Sequence, residues 1–203
     1  MTLAEAAQAA GVVGAGGAGF PTHVKAASQV EIVIANGAEC EPLLRVDQEI
    51  MAAFPERIVA GLVALRDATG AKRAVIGLKS KYKKAIHALE PHAQKAGVEL
   101  FQLGAFYPAG DEVTLVYEVT GRIIPEAGLP LNVGCVVQNV HTLLWLEAAV
   151  KGAPVVERHV TVGGAVARPT TLVAPIGTAI ADLITAAGGA MVADPAIIDG
   201  GPM

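Results

Sequence analysis

Short β-branched runs alternate with amphipathic stretches along the first three quarters of the chain. Residues 2–13 are alanine-rich, and Thr2 with Glu5 has the spacing of a capping box, which predicts an N-terminal helix. Residues 31–35 (EIVIA) read as a buried strand. Two helical stretches follow at about 43–54 and 55–68, the second opening on a first-turn proline and stopping at Gly70. A strand over 73–78, a helix over about 81–96 and a strand over 98–103 come next. Asp111 and Glu112 open another helix to about Thr120, where acids suit the positive end of the helix dipole. Pro125, Gly128 and Pro130 break residues 123–131, and a helix led by residues 138–142 runs through Val150. Strands alternating with helices at this spacing predict an α/β fold: a Rossmann-like, mostly parallel sheet flanked by helices.

The texture changes near Pro154. Residues 156–162, Gly163 and Gly164, then 165–167 read as a hairpin, followed by an extended Leu172-Val173 and a helix over about 178–187. The division expected is a domain over 1–153 and a small one over 154–203.

Composition narrows the class. Hydrophobic residues are 53% and charged residues 17%, the signature of a folded chain, and with aromatics at 4% the core is built from Ala, Val, Ile and Leu. No apolar run reaches the ~18–20 residues of a membrane span. Glu5 and the lack of a basic leader argue against a signal peptide, so a cytoplasmic location is expected. A net charge of −4 argues against nucleic acid as a partner. The two cysteines, Cys40 and Cys135, exclude a disulfide framework and a four-thiolate metal or iron–sulfur site made by this chain alone.

The chemistry gathers at Gly14-Ala15-Gly16-Gly17-Ala18-Gly19-Phe20-Pro21-Thr22, with Lys25 close behind. Glycines this dense suit neither helix nor strand; they let backbone N–H groups approach a phosphate or a flat ring, and a lysine adds the complementary charge. The run also satisfies G-x-G-x-x-G, but that fingerprint requires a strand just before it, and here a helix is expected. A flexible loop is the plain alternative. Glu39 and Glu41 lie in a loop after the first strand, beside Asn36, too few and too close for a magnesium cage. Unliganded, they are a solvated acidic loop. Asp111 and Glu112 need no ligand as a helix start. Lys79, Lys81, Lys83 and Lys84 read as a solvated face, His141 as a helix-surface histidine, and both cysteines as small buried filler. No Ser/His/Asp or Cys/His arrangement can be assembled, and no metal site is expected.

Gly14 to Thr22 with Lys25, then Asn36-Gly37-Ala38-Glu39-Cys40-Glu41-Pro42, resemble the FMN- and NADH-binding domain of respiratory complex I, and most closely its RnfC/PduS relatives. The resemblance implies the complex I type of FMN-binding fold. It further implies that Gly14, Gly16, Gly17, Gly19, Phe20 and Lys25 surround the flavin with Asn36, that Glu39 contacts the ring side and is the catalytic candidate, and that Glu41 helps hold the nicotinamide nucleotide. Tyr107, Gly110, Asp111 and Glu112 match a second family motif, along the flavin. Gln138, Asn139 and Thr142 match a third, Asn-Asn-Val-Glu-Thr, whose amides reach the phosphate and ribityl region. The chain departs from the pattern at Ala38, where complex I proteins have aspartate, at Gln138 for asparagine and at His141 for glutamate. The tail from Pro154 onward resembles the soluble-ligand-binding β-grasp (SLBB) domain.

The function so implied is electron entry: NADH reduces FMN, and electrons leave through iron–sulfur clusters on a further segment or partner protein. A ferredoxin-type chain or a corrinoid enzyme would receive them. The family's settings are the cytoplasm, the interior of a bacterial microcompartment and the periphery of a membrane complex. Its Gly-Gly-Pro-Met sequence, here residues 200–203, is followed by cysteine-rich motifs, so a piece of a longer protein is expected. Two other classes stay open on the residues: a non-catalytic binding or scaffold fragment docking through the β-grasp module, and a nucleotide-binding dehydrogenase without flavin.

Overall fold

The computed structural model describes residues 1–41 and 43–200. Pro42 and the terminal Gly201, Pro202 and Met203 of the motifs above lie outside the described residues. The chain forms two compact units, one of Met1–Cys40 with Asp47–Pro154, the other of Glu41–Val46 with the chain from Val155 onward.

In the first unit the helices are α1 (Leu3–Ala9), α2 (Thr22–Ala26), α3 (Val46–Ala53), α4 (Pro55–Thr69), α5 (Lys83–Ala96), α6 (Glu112–Thr120) and α7 (Val140–Val150). The strands are β1 (Ile32–Gly37), β2 (Arg73–Lys79), β3 (Glu99–Leu103) and β4 (Cys135–Asn139). All strand pairs are parallel, in the order β3-β2-β1-β4. The α/β fold predicted from the alternation is present. The capping box at Thr2 and Glu5 starts α1 as expected, and Gly70 ends α4 with a left-handed φ of 66°.

One strand is absent from the sequence-based elements. Cys135–Asn139 reads in the sequence as an apolar run leading into a helix at Gln138; it is instead β4, paired with β1 from Ile32↔Cys135 to Asn36↔Asn139. Only Cys135, Val136 and Val137 are apolar before the polar Gln138 and Asn139, and over so few residues hydrophobic period does not separate a strand from a helix.

The two faces of the sheet follow from strand alternation. Ile32 and Ile34 of β1, Val75 of β2 and Cys135 and Val137 of β4 form a core with Leu115 and Val116 of α6. Gly77 lets α6 sit close, since a Cβ there would stand 2.6 Å from Leu115 Cδ1. Elsewhere α4 packs between α5 and α7, and Gly61 of α4 meets α7 at its backbone: a Cβ would lie 2.2 Å from the Leu143 carbonyl oxygen.

The chain fills β1, β2 and β3 in one direction and then returns to place β4 on the other side of β1. The carboxyl ends of β1 and β4 therefore stand side by side where the strand order reverses, the kind of place at which doubly wound sheets bind ligands.

The second unit holds an antiparallel pair, β5 (Glu157–Val162) and β6 (Thr170–Pro175), and the helix α8 (Ile180–Ala186). The hairpin arm expected at 165–167 belongs to the connection; the partner of β5 is β6, in the register Val162↔Thr170. Val166 instead bridges to Ala190. The Gly163-Gly164 pair fits a tight turn, but the connection is longer. Among the described residues, no helix is long and apolar enough to cross a membrane.

Candidate functional site

At the carboxyl end of β1, Asn36 stands beside Asn139 of β4. Asn36 Nδ2 donates to the Gly110 carbonyl at 2.8 Å, and its Oδ1 accepts from Ala38 N–H at 3.1 Å. One side chain thus fixes the turn after β1 and fastens it to the loop before α6. The contact is tight enough to demand glycine: a Cβ on Gly110 would lie 2.0 Å from the Ala38 carbonyl oxygen. Gly110 N–H donates to Cys40 Sγ at 2.9 Å, so Cys40 is a half-buried acceptor rather than buried filler.

The glycine stretch forms a closed loop. Gly14 N–H donates to the Phe20 carbonyl at 2.9 Å, and Val13 bridges to Pro21. The loop is anchored to α7, because Ala15 N–H donates to Thr142 Oγ1 at 2.9 Å. A Cβ at Gly16 would sit 3.8 Å from Asn139 Cβ, whereas at Gly17 and Gly19 it would meet nothing within 4 Å. Those two glycines have φ of +101° and +60°, the left-handed region that side chains avoid. The outcome is an exposed stretch of bare backbone at the start of α7. Phe20 is on its rim, with Lys25 Nζ 5.3 Å from the ring centroid. Lys25 Nζ also donates to the Val137 carbonyl at 2.7 Å, on the edge strand β4. Burial pushes the Lys25 ammonium below the usual lysine range, and the negative charge of Glu112 opposes that.

Beneath the loop, Asn139 caps α7: its Oδ1 accepts from His141 N–H at 2.8 Å and Thr142 N–H at 3.4 Å. Its Nδ2 donates to Asp47 Oδ2 at 2.8 Å. Gln138 is 2% exposed; its Nε2 is 3.5 Å from Thr22 Oγ1, and its Oε1 is buried without a hydrogen-bond partner among the described residues. Glu39 reaches the same place from the β1 side. Its Oε1 accepts from Asp47 N–H at 3.4 Å, and its carbonyl accepts from Lys79 Nζ at 2.7 Å and Tyr82 OH at 3.4 Å. Burial, aided by the charge of Glu39, pushes the Asp47 carboxyl up to about 7, against the hydrogen bond from Asn139.

Two readings of the sequence are corrected here. Lys79 does not share a solvated face with Lys81, Lys83 and Lys84; it is buried, the last residue of β2, and holds the Glu39 backbone. His141 is not on the helix surface. It is 4% exposed and packs against Trp145, the ring centroids 4.1 Å apart and the planes tilted by 42°.

The structure therefore brings together the glycine loop, Lys25, Asn36, Glu39, Gly110, Gln138, Asn139 and Thr142. Asp111 caps α6 by accepting from Thr114 N–H at 2.9 Å, and Glu112 opens that helix within electrostatic reach of Lys25. Tyr107 is 64% exposed, at the outside of its loop. Glu41 falls in the Glu41–Val46 segment that groups with the second unit. Sequence reasoning missed Asp47 and Lys79. Asp47 shares the buried stripe of α3 with Ile50 and Met51 at i+3 and i+4, and an acid on an apolar stripe was the available signal. Among the described residues no three His, Cys, Asp or Glu side chains are placed to hold a metal ion.

The Nuo51 FMN-binding domain matches residues 7–148, and the SLBB domain matches 159–203. Cobalamin reductase PduS of Citrobacter freundii is 52% identical over 204 residues, covering 100% of this chain and 45% of that protein. A component of the proton-translocating ferredoxin:NAD(+) oxidoreductase complex of Clostridium ljungdahlii is 40% identical over 200 residues, covering 96% and 44%. This chain spans less than half the length of either relative. The crystal structure of an NAD+-reducing NiFe hydrogenase in the H2-reduced state superposes with a TM-score of 0.81 at 26% identity, covering 93% of this chain and 39% of that one. With a strand-order reversal at β1 and β4, a glycine loop over α7, and a match through most of its length, the chain belongs to the Nuo51 FMN-binding domain family and carries an SLBB domain after it.

Proposed function

We propose that the chain is a flavoprotein electron-entry module that binds FMN at the carboxyl ends of β1 and β4 and oxidises NADH. The observation that carries this reading is the open, side-chain-free face of the Gly14–Phe20 loop, fastened through Thr142 to the first turn of α7. Peptide N–H groups and the positive end of a helix dipole favour a phosphate there, and the Lys25 charge adds to them. Buried Gln138 Oε1 has an acceptor to offer, which fits the N–H and O–H donors of a flavin and its ribityl chain. The residues present fit FMN on both counts.

In this reading the glycine loop, Lys25, Asn139 and Thr142 hold the phosphate end. Asn36, Glu39, Gly110 and Gln138 line the ring and ribityl end, with Phe20 and Tyr107 at the rim. Bound FMN would supply a two-electron acceptor for a hydride and a one-electron donor to the next carrier. Glu39, its backbone held by Lys79 and Tyr82, presents a carboxylate to the ring side. By the motifs they match, Glu41, Asp111 and Glu112 are the acids assigned to the nicotinamide nucleotide, whose ribose hydroxyls and carboxamide donate hydrogen bonds to carboxylates. Electrons leave to an iron–sulfur segment or partner, serving a ferredoxin-type or corrinoid acceptor. The names of the relatives, a cobalamin reductase and a component of a ferredoxin:NAD(+) oxidoreductase complex, support that acceptor class.

Titration of the purified chain with FMN tests the reading. Quenching of flavin fluorescence and a rise in melting temperature are expected, because a ligand that binds only the folded state stabilises it. Neither change at saturating FMN would overturn it.

A further inference from the structure

We propose that Asp47 is a positioning residue of this site: it ties the loop carrying Glu39 to Asn139, the cap of α7, and keeps a proton on its carboxyl while a phosphate-bearing ligand is bound. The inference rests on the flavin reading above.

The tie is geometric. Asp47 lies in the first turn of α3 on its buried stripe, and Asn139 Nδ2 donates to its Oδ2 at 2.8 Å. The direction of the Asn139 amide is set by the helix, since its oxygen takes the N–H groups of His141 and Thr142 and only its NH2 end is left for Asp47. On the other side, Asp47 N–H meets Glu39 Oε1 at 3.4 Å. One residue thereby joins the turn after β1 to the helix start on which the glycine loop rests. Neither the glycine motif nor the acidic loop motif includes it.

The charges around it set the protonation. Glu39 faces Asp47 from the turn after β1. Lys79, the last residue of β2, and Tyr82, just before α5, are engaged by the Glu39 carbonyl. From α7 come the polar Asn139 and the first-turn His141. Lys84 of α5 pairs with Glu49 on the outer side of α3. Burial and Glu39 both favour the neutral carboxyl, to about pH 7. A phosphate at the same helix start is a further negative charge and acts in the same direction. By linkage, binding an anion and ionising Asp47 oppose each other, so affinity falls as Asp47 loses its proton.

The test uses the wild-type chain, Asp47→Asn, which stays neutral and keeps an acceptor for Asn139, and Asp47→Leu, which has none. FMN dissociation constants are measured by fluorescence quenching between pH 6 and pH 8.5. Comparison at each pH cancels the ionisation of the phosphate itself, near pH ~6. Relative to Asp47→Asn, wild type is expected to bind about equally at pH 6 and about tenfold more weakly at pH 8. Asp47→Leu should bind more weakly at every pH. Hydrogen exchange of ligand-free protein reads the tie itself: the His141 and Thr142 amides should stay protected in Asp47→Asn and lose protection in Asp47→Leu. A wild-type to Asp47→Asn ratio that does not change with pH, while FMN binds, would overturn the proton-holding role and leave the flavin reading intact. Unchanged protection in a folded Asp47→Leu protein would overturn the positioning role. No FMN binding by any of the three at any pH would overturn the flavin reading and the proton-holding role with it.

Discussion

Gly110, Glu41 and Asp47 each carry a prediction that a single side chain decides. Gly110→Ala forces a methyl group into the Ala38 carbonyl, where backbone cannot yield as a flexible side chain would. Overpacking of this kind costs about 1–3 kcal/mol, and the two loops must part to relieve it. Urea unfolding should show the loss, and FMN binding should weaken with it. Glu41→Gln keeps the size and removes the charge. NADH affinity should fall by about 5- to 150-fold, the cost of one good hydrogen bond, while FMN stays bound. Unchanged nucleotide affinity would place the nucleotide on another loop. Asp47 gives a pH dependence of opposite sign to an ordinary paired carboxylate. Its carboxyl is pushed up to about 7 in the folded chain. The unfolded value is about 3.9, so the folded state binds the extra proton between the two. Stability from this group is full below the unfolded value and is lost as pH rises toward 7. The melting temperature of Asp47→Asn should therefore gain on wild type between pH 4 and pH 7 and hold that gain at pH 8. A gap independent of pH would show that Asp47 is ionised throughout.

At the scale of elements, the close approach of α4 and α7 is the sharpest case. Alanine in place of glycine inside a helix ordinarily stabilises by roughly 1 kcal/mol. Gly61→Ala should do the reverse, because its Cβ would stand 2.2 Å from the Leu143 carbonyl oxygen. Separating α4 from α7 also shifts the helix on which Asn139 and Thr142 sit. A fall in urea midpoint together with weaker FMN binding is expected, and a stabilised variant would refute the close contact. β4 teaches the complementary lesson. Strands with helices around them were legible wherever a polar break or a glycine marked their ends, as at Gly70 and Gly97. At β4 the N-capping Asn139 marked where α7 begins, but the three apolar residues before Gln138 were too few to read as a strand.

For the whole molecule, the prediction concerns where electrons go. An iron–sulfur cluster generally needs four protein ligands, mostly thiolates. This chain has Cys40 and Cys135 alone, the first hydrogen-bonded to the Gly110 amide and the second buried in the core. With FMN and NADH the chain should reduce ferricyanide or oxygen, and should reduce a protein or corrinoid acceptor efficiently only when a cluster-bearing segment or partner is supplied. Near-stoichiometric iron and acid-labile sulfide in the purified chain would contradict this, as would fast reduction of such an acceptor by the chain alone.

The sequence by itself determined the alternation of strands and helices, and with it a parallel sheet whose loops emerge at one end. It also marked Gly14–Phe20, because φ values near those of Gly17 and Gly19 are open to glycine and closed to most other residues. Local pattern carries that much because secondary structure and backbone freedom depend on neighbours along the chain. Only the tertiary structure decided that β4 returns beside β1, which puts Asn36 and Asn139 side by side from distant parts of the chain. It alone turned Lys79 from a member of a lysine cluster into a buried clamp on Glu39, and buried Asp47 between Glu39 and Asn139, which pushes its carboxyl up to about 7. Charge and hydrogen bonding act through space and scale with burial. A carboxylate or an ammonium takes its chemistry from what the fold packs against it.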